Sequence, residues 1–352
     1  MTMPWADNWE RVPGYLDAAT MGLPPRSVVA AMRTHLEDWQ AGRCSAGGFD
    51  EDVRRARAAF AKLVGVTADD VAIGAQVSQL VGLVAASVPD GARVVVPSAE
   101  FASVSFPFLV HADRGVHVVQ APLEGLADAL DDSVHTVAFS VAQSSDGRLA
   151  DVEAILEAAG RSGTRTVADL TQAAGWLPLD AGRFDVTVTG GYKWLCCPRG
   201  SAFLTATPAA KEKIRPLYPN WYASADIWGS IYADELALAE EVRRFDTSPA
   251  WPVWVGTAPA LELLAGLHRD DPEIGAAVAS YGVDLANEVR KTIGLEPEPR
   301  PVIALPDEGG RVKAALEDAG CRVAGRGSGV RLGFHLWNTE DDVDRVVDAL
   351  TR

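Results

Sequence analysis

The strongest constraint on the fold is an alternation, between residues 70 and 204, of short β-branched segments with helical stretches. Several of these segments are apolar on both faces, which is typical of parallel strands covered by helices on either side. The sequence therefore predicts an α/β protein with a mostly parallel seven-stranded sheet. The predicted strands are 71–73, 93–96, 116–119, 136–140, 165–169, 185–189 and 201–204.

A change in composition after Arg243 indicates a domain boundary. The segment RRFDTSPAWP carries two prolines and leads into a helix-rich tail with a terminal strand at 329–335. We therefore expect a large domain at 16–245 and a smaller C-terminal α+β domain at 246–352, with residues 1–15 packing on the latter. The predicted helices are 50–63, 76–86, 151–159, 235–243, 257–268, 273–293, 309–319 and 340–351.

Charge and cysteine content restrict the classes of partner. The chain has 32 Lys and Arg against 48 Asp and Glu, a net charge of -16, so nucleic acid and anionic membranes are unfavourable partners. Its four cysteines lack the spacing of a disulfide framework, and neither they nor the six histidines have metal-ligand spacing. Since no apolar run is long enough to span a bilayer, we expect a cytoplasmic protein without metal or membrane partners.

An acid and a lysine stand at the ends of neighbouring predicted strands. Asp169 ends one strand, and Lys193 follows the next in the turn Gly-Gly-Tyr-Lys-Trp. In an open α/β sheet the ligand crevice lies at the carboxyl ends of the strands. Pyridoxal phosphate needs such a pair, because a lysine holds its aldehyde as a Schiff base and an acid keeps its pyridine nitrogen protonated.

These residues also carry a family resemblance. The pattern D-x-x-Q (Asp169, Gln172) followed by Y-K-W-L-x-x-P-R-G (from Tyr192 and Lys193) resembles the class V aminotransferases, which have the fold type I pyridoxal phosphate fold. YLDAAT, RFDTSPAW and VRLGFHLWNTEDDVDRVVDAL extend the resemblance over nearly the whole chain. It implies pyridoxal 5'-phosphate as cofactor, contacts from Asp169 and Gln172 to it, and a homodimer with a shared active site.

The resemblance also implies a phosphate site. It places Gln76, Val77 and Ser78 at a helix N-terminus whose free amides bind the phosphate, although a simple N-cap by Ser78 is the alternative. Ser248, in the TSP turn, is expected to reach a phosphate across the dimer interface. Tyr192 stands where the cysteine desulfurases, which are members of the same family, have a histidine. It is expected either to contact the phosphate or to pack as a surface tyrosine.

Further contacts to the cofactor and substrate follow from the same comparison. Phe101 stands where desulfurases have a histidine; it can stack on the pyridine ring but cannot move protons, and an ordinary core aromatic is the alternative. Gln143 is expected to contact the ring hydroxyl, with Ser144 equally able. Arg331 aligns with the arginine that binds the substrate carboxylate, and Arg326 is a second candidate.

The cysteines do not support a desulfurase. The nucleophile of that enzyme lies on a mobile loop before the carboxylate arginine, but Cys321 is too close to Arg331 and is expected in the core. Cys196 and Cys197 follow the lysine, where small buried residues would serve equally well. The segment GRGSGV mimics a dinucleotide fingerprint, but it precedes a strand rather than a helix.

We therefore expect an enzyme that acts on an α-amino acid through an external aldimine, with Lys193 also moving the Cα proton. Transamination is placed first, β-elimination such as carbon–sulfur lysis second, and epimerisation third. A catalytically silent pyridoxal phosphate fold used for binding or regulation, and a nucleotide-binding doubly wound protein, are the alternatives from other classes. The aromatic segment 220–232 is expected to line a substrate entrance or to pack in a dimer.

Overall fold

A seven-stranded mixed sheet dominates the computed structural model, which describes residues 3–351. Its strand order is β1-β7-β6-β5-β4-β2-β3. All seven predicted strands are confirmed, as is the mostly parallel arrangement. The strands are β1 (Val71–Gly74), β2 (Arg93–Pro97), β3 (His117–Ala121), β4 (Val134–Ser140), β5 (Arg165–Asp169), β6 (Val186–Gly190) and β7 (Ala202–Ala206).

The five strands from β3 to β6 run parallel, whereas β7 is antiparallel to both β6 and β1. Successive side chains of each strand enter different apolar clusters. Val137 and Phe139 belong to one cluster and Ala138 to the other. Because a strand's side chains alternate between the two faces of the sheet, both faces are buried beneath helices. This explains why the strands read as continuous apolar runs.

Ten α-helices surround the two sheets in the described part of the chain. None of the helices within residues 3–351 is long and apolar enough to cross a membrane. They are α1 (Arg26–Gln40), α2 (Ala46–Val64), α3 (Val77–Ala86), α4 (Ala102–Leu109), α5 (Val152–Ser162), α6 (Pro208–Lys211), α7 (Trp251–Arg269), α8 (Pro272–Thr292), α9 (Arg311–Asp318) and α10 (Glu340–Thr351).

One predicted helix, 235–243, is wrong. The backbone there is irregular and ends in a single 3-10 turn, Val242–Phe245. Leu238 forms a bridge with Ser224, and the amide of Ala239 donates to the carbonyl of Ala223 at 3.0 Å. These tertiary hydrogen bonds replace the intrahelical ones that the local sequence favours. Conversely, α1, α4 and the short α6 are helices that the sequence analysis does not predict.

A second, three-stranded antiparallel sheet lies in the C-terminal region. It contains β8 (Val302–Pro306), β9 (Ala324–Arg326) and β10 (Gly329–Gly333) in the order β8-β10-β9. The predicted terminal strand is thus present as β10, and β8 and β9 are additions to the predicted elements. The expected α+β character of this region is confirmed.

The N-terminal segment packs on the C-terminal region. Tyr15 and Asp17 form isolated bridges with Arg322 and Gly333, which places residues 15–17 against the small sheet. The domain boundary near residue 245 stays a prediction; the first helix beyond it, α7, packs against α1 and α2. Residues before and after that boundary therefore contribute to one apolar cluster.

A buried ion pair fixes the chain at this junction. The carboxylate of Asp246 accepts hydrogen bonds from both terminal nitrogens of Arg57 and, at 2.8 Å, from the amide of Ile73 in β1. Arg57 also donates to the carbonyl of Val71. Both charged side chains are buried, so each depends on the other for compensation of its lost hydration.

We predict that Asp246→Ala lowers the free energy of unfolding by about 3–5 kcal/mol, because it leaves the Arg57 guanidinium buried without a counter-charge. The control is Glu262→Ala, which removes the partner of Arg55 in a half-exposed ion pair. That change should cost less than about 1 kcal/mol. Chemical unfolding monitored by circular dichroism measures both; equal destabilisation would show that the buried pair has no special role.

Candidate active site

The carboxyl ends of β5 and β6 border a cavity of about 350 Å³. Asp169, the last residue of β5, and Lys193, in the turn after β6, both line it and are only 5% and 6% exposed. The acid and the amine predicted from strand ends are thus brought to one cavity. The other lining residues are Ala75, Gln76, Val77, Phe101, Ser103, Ser140, Ser144, Thr171, Gln172, Tyr192, Arg199 and Gly200.

The turn that carries Lys193 is held by its backbone. The carbonyl of Lys193 accepts from the amide of Cys196 at 3.0 Å, and the carbonyl of Tyr192 accepts from the amide of Gly22 at 2.9 Å. A Cβ atom on residue 22 would lie 2.0 Å from the Lys193 carbonyl oxygen, so only glycine permits this approach. The N-terminal segment thus supports the lysine directly.

Burial lowers the pKa of Lys193 to about 8, because the charged ammonium loses hydration. The negative charge of Asp169 opposes this shift, whereas the positive charges of Arg331, Arg326 and Arg199 add to it. Roughly a tenth of the amine is therefore neutral at pH 7, far more than for a lysine with the ordinary pKa of about 10.4. A neutral amine is nucleophilic, which an ordinary surface lysine is not.

Burial also raises the pKa of Asp169 to about 6. Hydrogen bonding from Thr171, whose amide donates to Oδ1 at 2.8 Å, opposes the shift. Asp169 forms no ion pair within residues 3–351. A cationic N–H placed in the cavity would therefore stabilise the ionised form of this carboxylate.

The helix α3 begins at the same cavity. Gln76 is its N-cap residue, and no side chain accepts from its first amides. Gln76, Val77 and Tyr192 line the cavity, but Ser78 does not. The Ser78 side chain is also not the cap of the helix. Unoccupied amides at a helix N-terminus that faces a cavity form a potential anion site.

Gln172 links the two halves of the site. Its carboxamide oxygen accepts from the indole N–H of Trp194 at 2.7 Å, and its nitrogen donates to the carbonyl of Ala19 at 2.9 Å and to the hydroxyl of Ser144 at 3.2 Å. Both amide hydrogens and the oxygen thus have protein partners. Although Gln172 lines the cavity, its polar group connects the lysine turn to residues 19 and 144.

Phe101 covers the lysine. Its ring centroid lies 5.2 Å from the amine nitrogen of Lys193, and the side chain lines the cavity while remaining partly exposed. Phe101 is therefore not a core aromatic. The preceding residue, Glu100, accepts from the Phe101 amide at 2.7 Å, which fixes the start of α4.

The two candidates for the ring-hydroxyl contact have different positions. Gln143 is buried behind the cavity wall, where its amide donates to Glu100 and to the carbonyl of Ser140, both at 3.2 Å. Ser144 lines the cavity, and its hydroxyl accepts from Gln172. Of the two candidates, only Ser144 lines the cavity.

Arg331 is buried without an ion pair among residues 3–351. It is 2% exposed, and its terminal nitrogens donate to the carbonyl of Ser144 and, at 2.9 Å, to the hydroxyl of Thr20. Its Nε has no hydrogen-bond partner. Burial lowers the pKa of Arg331 to about 10, nearby Arg326 adds to this effect, and Asp17 opposes it. A structural salt bridge, which is the alternative role for Arg331, is therefore not formed among the described residues.

Ser248 lies apart from this cavity. It is exposed and does not line the cavity of its own chain. The aromatic segment 220–232 is anchored close by, since the amide of Asn220 donates to the carbonyl of Asp246 at 2.9 Å. Within the segment, the rings of Trp221 and Trp228 pack at 5.3 Å, whereas Tyr232 is 96% exposed.

Several residues of the site were not predicted. Thr20, Ser103, Thr171 and Arg199 all contact the cavity or its arginine, and Glu100 organises the wall. The only signal was that Thr20 and Arg199 belong to motifs that carry the family resemblance. A hydroxyl residue beside a strand, or an arginine in a turn, is too common in sequences to indicate a functional site by itself.

The cysteines lie outside this chemistry. Cys196, Cys197 and Cys321 are buried, and burial raises the pKa of each thiol. A buried thiol with a raised pKa is a poor nucleophile at neutral pH. Within residues 3–351 no group of His, Cys, Asp and Glu has an arrangement that could hold a metal ion.

The chain is similar to known proteins over most of its length. The family model described as aminotransferase class-V matches residues 14–291. An uncharacterized aminotransferase, YcbU of Bacillus subtilis, is 27% identical over 85% of this chain and 83% of that protein. A kynureninase of Deinococcus radiodurans is 29% identical over 80% of this chain and 68% of that protein. Isopenicillin N epimerases are also among the relatives.

Solved structures share the fold. The cystine C-S lyase C-DES, in complex with cysteine persulfide, has a TM-score of 0.85 at 18% identity, covering 96% of this chain and 97% of that one. The cysteine desulfurase CsdA of Escherichia coli has a TM-score of 0.82 at 19% identity, covering 99% and 97%. These likenesses confirm the fold type I architecture. A mutant of C-DES carries glycine covalently linked to its PLP cofactor.

The family match spans well over half of the chain, and the family together with the PLP-bound neighbours indicates pyridoxal phosphate as the cofactor. Lys193, Asp169 and the N-terminus of α3 border the same cavity. The chain thus belongs to the class-V aminotransferase family.

Proposed function

We propose that this protein is a pyridoxal phosphate enzyme that acts on an α-amino acid, with Lys193 and Asp169 as its catalytic residues. The observation that carries the proposal is the meeting of these two buried side chains at one cavity beside an uncapped helix N-terminus. Transamination is the reaction that we place first.

The residues present fit the cofactor. Lys193 offers a largely desolvated amine, and Asp169 offers a buried carboxylate without an ion pair in the described chain. The first amides of α3 offer donors for a phosphate. Gln76 and Val77 would hold that phosphate, whereas Ser78, which does not line the cavity, would contribute through its backbone amide.

When bound, pyridoxal phosphate supplies an electron sink for the bonds at the substrate Cα. The Lys193 amine would hold the cofactor through its aldehyde, and the same amine would be the group that accepts the Cα proton. Phe101 excludes water from one side of the cavity, because its ring covers the lysine at 5.2 Å. Asp169 would hold a proton on the pyridine nitrogen, because a cationic N–H beside it would keep the carboxylate ionised against the rise in pKa that burial causes.

Substrate orientation falls to Arg331. Its Nε has no partner and no carboxylate lies within ion-pair distance in the described residues, so a substrate carboxylate would satisfy it. Ser144 faces the cavity and is the hydroxyl that we assign to the cofactor's ring oxygen, in place of Gln143. Gln172 positions Trp194 and Ser144 through hydrogen bonds to both.

The choice among reactions rests on proton transfer. Lys193 stands on one side of the cavity and can move a proton between Cα and the cofactor, as transamination requires. Epimerisation requires a proton from the opposite side, and Phe101 cannot exchange one. Carbon–sulfur lysis remains the second candidate, since the lyase C-DES shares the fold. A silent binding protein would have no use for the depressed pKa of Lys193.

We propose a homodimer in which the partner's Ser248 completes the phosphate site. Ser248 is exposed and does not line the cavity of its own chain, so it is available to a second subunit. The buried pair between Arg57 and Asp246 fixes the backbone two residues before it. The aromatic segment 220–232, bonded to the same backbone through Asn220, would lie at this interface.

The pH dependence of cofactor capture tests the state of Lys193. Mixing apoprotein with pyridoxal phosphate should give a band near ~420 nm whose rate of formation rises with pH and levels off above about 8, because the neutral amine is the nucleophile. Asp169→Asn removes a charge that raises the pKa of Lys193, so the midpoint should move to lower pH. The exposed Asp132→Asn is the control and should leave it unchanged. A wild-type midpoint near ~10.4 would contradict the assignment.

The reaction itself is tested by product analysis. The wild type should convert an amino acid to its keto acid only when a second keto acid accepts the amino group, whereas a lyase would release ammonia and a thiol without an acceptor. Lys193→Ala should lower turnover by at least about 10⁴-fold, because no other amine lines the cavity. This variant should still bind the cofactor, but without the band near ~420 nm that borohydride removes from a Schiff base. Retention of that band at full strength would mean that another lysine forms the Schiff base.

Subunit complementation tests the shared site. Ser248→Ala should weaken cofactor binding by about tenfold, since a hydrogen bond to a charged group is lost. A hybrid of a Lys193→Ala chain and a Ser248→Ala chain pairs one intact Lys193 with one intact Ser248 across the interface. It should regain one site per dimer with wild-type affinity. A hybrid no better than Ser248→Ala alone, or an active monomer on gel filtration, would rule out the shared site.

A further inference from the structure

Two arginines converge on one hydroxyl group at the edge of the active site. The hydroxyl of Thr20 accepts a hydrogen bond from Nη2 of Arg331 at 2.9 Å and from Nη2 of Arg326 at 2.8 Å. Arg331 belongs to β10 and Arg326 to the end of β9, which pairs with it. The antiparallel pairing of these strands thus holds the two guanidinium groups side by side.

Neither guanidinium has a counter-charge. Within residues 3–351, no carboxylate lies in ion-pair contact with Arg326 or Arg331, although the chain carries 48 acidic residues. Other arginines of the same region are paired; Arg300, for example, binds Glu298. Asp17 attracts Arg331 but forms no ion pair with it.

Donors remain free on both groups. A guanidinium has five N–H donors. Arg331 uses its terminal nitrogens for Ser144 and Thr20, and its Nε has no partner. Arg326 donates to its neighbour Gly325 and to Thr20. Each arginine can therefore still offer a forked pair of hydrogen bonds to an anion.

The two cations destabilise each other in the protein alone. The charge of Arg326 helps to lower the pKa of Arg331, and both charges act on Lys193 at the centre of the site. Arg331 is buried and Arg326 is exposed at the rim. A ligand with one anionic group, bound at Arg331, would leave Arg326 unpaired. The arrangement therefore matches a ligand that carries two anionic groups.

We propose that the substrate is an α-amino acid whose side chain ends in a second acidic group, with Arg331 binding the α-carboxylate and Arg326 the side-chain group. This inference rests on the function proposed above, and it assigns Arg326 to substrate specificity rather than to the chemical step.

Paired substrates provide the test. For the wild-type holoenzyme, kcat/KM for aspartate or glutamate should exceed that for alanine by about tenfold or more. Arg326→Gln should reduce kcat/KM for the acidic substrates by about tenfold through KM, and leave alanine within about twofold. Arg322→Gln is the matched control, because Arg322 is an exposed arginine of the same region that stacks on Tyr15 instead. It should change neither.

A binding measurement keeps the test independent of the variant's folding and of turnover. By calorimetry, the wild-type holoenzyme should bind succinate about tenfold more tightly than butyrate, which has the same number of carbons and one carboxylate fewer. Equal binding of the two acids, or equal loss for acidic and neutral substrates in Arg326→Gln, overturns the inference. If the band near ~420 nm persists while neutral amino acids are preferred, only this inference fails; if no band forms, the proposed function fails.

Discussion

The parallel register of β4, β5 and β6 is the constraint on which the site depends. Ser140 pairs with Asp169, and Asp169 with Val188, so these strands end at a common edge of the sheet. Most side chains within the sheet are apolar and both of its faces are buried, so the strand ends are where an open α/β sheet places its ligand crevice. The register thus sets Asp169 beside the turn of Lys193 without any direct bond between them.

Hydrogen bonding then decides which polar groups are fixed and which are available. Buried polar atoms without partners are costly, and most of those at the site are satisfied: Gln172 uses its whole carboxamide, and Glu100 accepts from Ser140 and Gln143. One exception is Nε of Arg331. Because an unsatisfied buried donor destabilises the protein alone, this group favours an anionic ligand as its missing partner.

Features of the fold that depend on local residue patterns could be predicted from the sequence. Strand composition located all seven strands, and the strand-end rule brought Asp169 and Lys193 together. Sequence-based prediction failed where contacts with distant residues determine the backbone conformation. The segment 235–243 is helical by composition, but its backbone forms hydrogen bonds with residues 223–225 instead. Thr20 was missed for the same reason, since it meets Arg331 across 311 positions of sequence. Gln172 shows a third case: its motif predicts a contact to the cofactor, whereas the fold gives its carboxamide protein partners that the motif does not reveal.

The distribution of charge separates long-range from short-range recognition. A net charge of -16 repels an anionic substrate at a distance, so electrostatic steering does not accelerate its arrival. Salt screens that field over about 8 Å at physiological ionic strength, whereas the buried guanidinium of Arg331 is shielded from such screening by the protein. An acidic ligand is therefore attracted only once it has entered the mouth of the cavity. Selection for anionic groups is then a property of the few residues around Thr20, and it persists at ionic strengths at which the repulsion from the surface has faded.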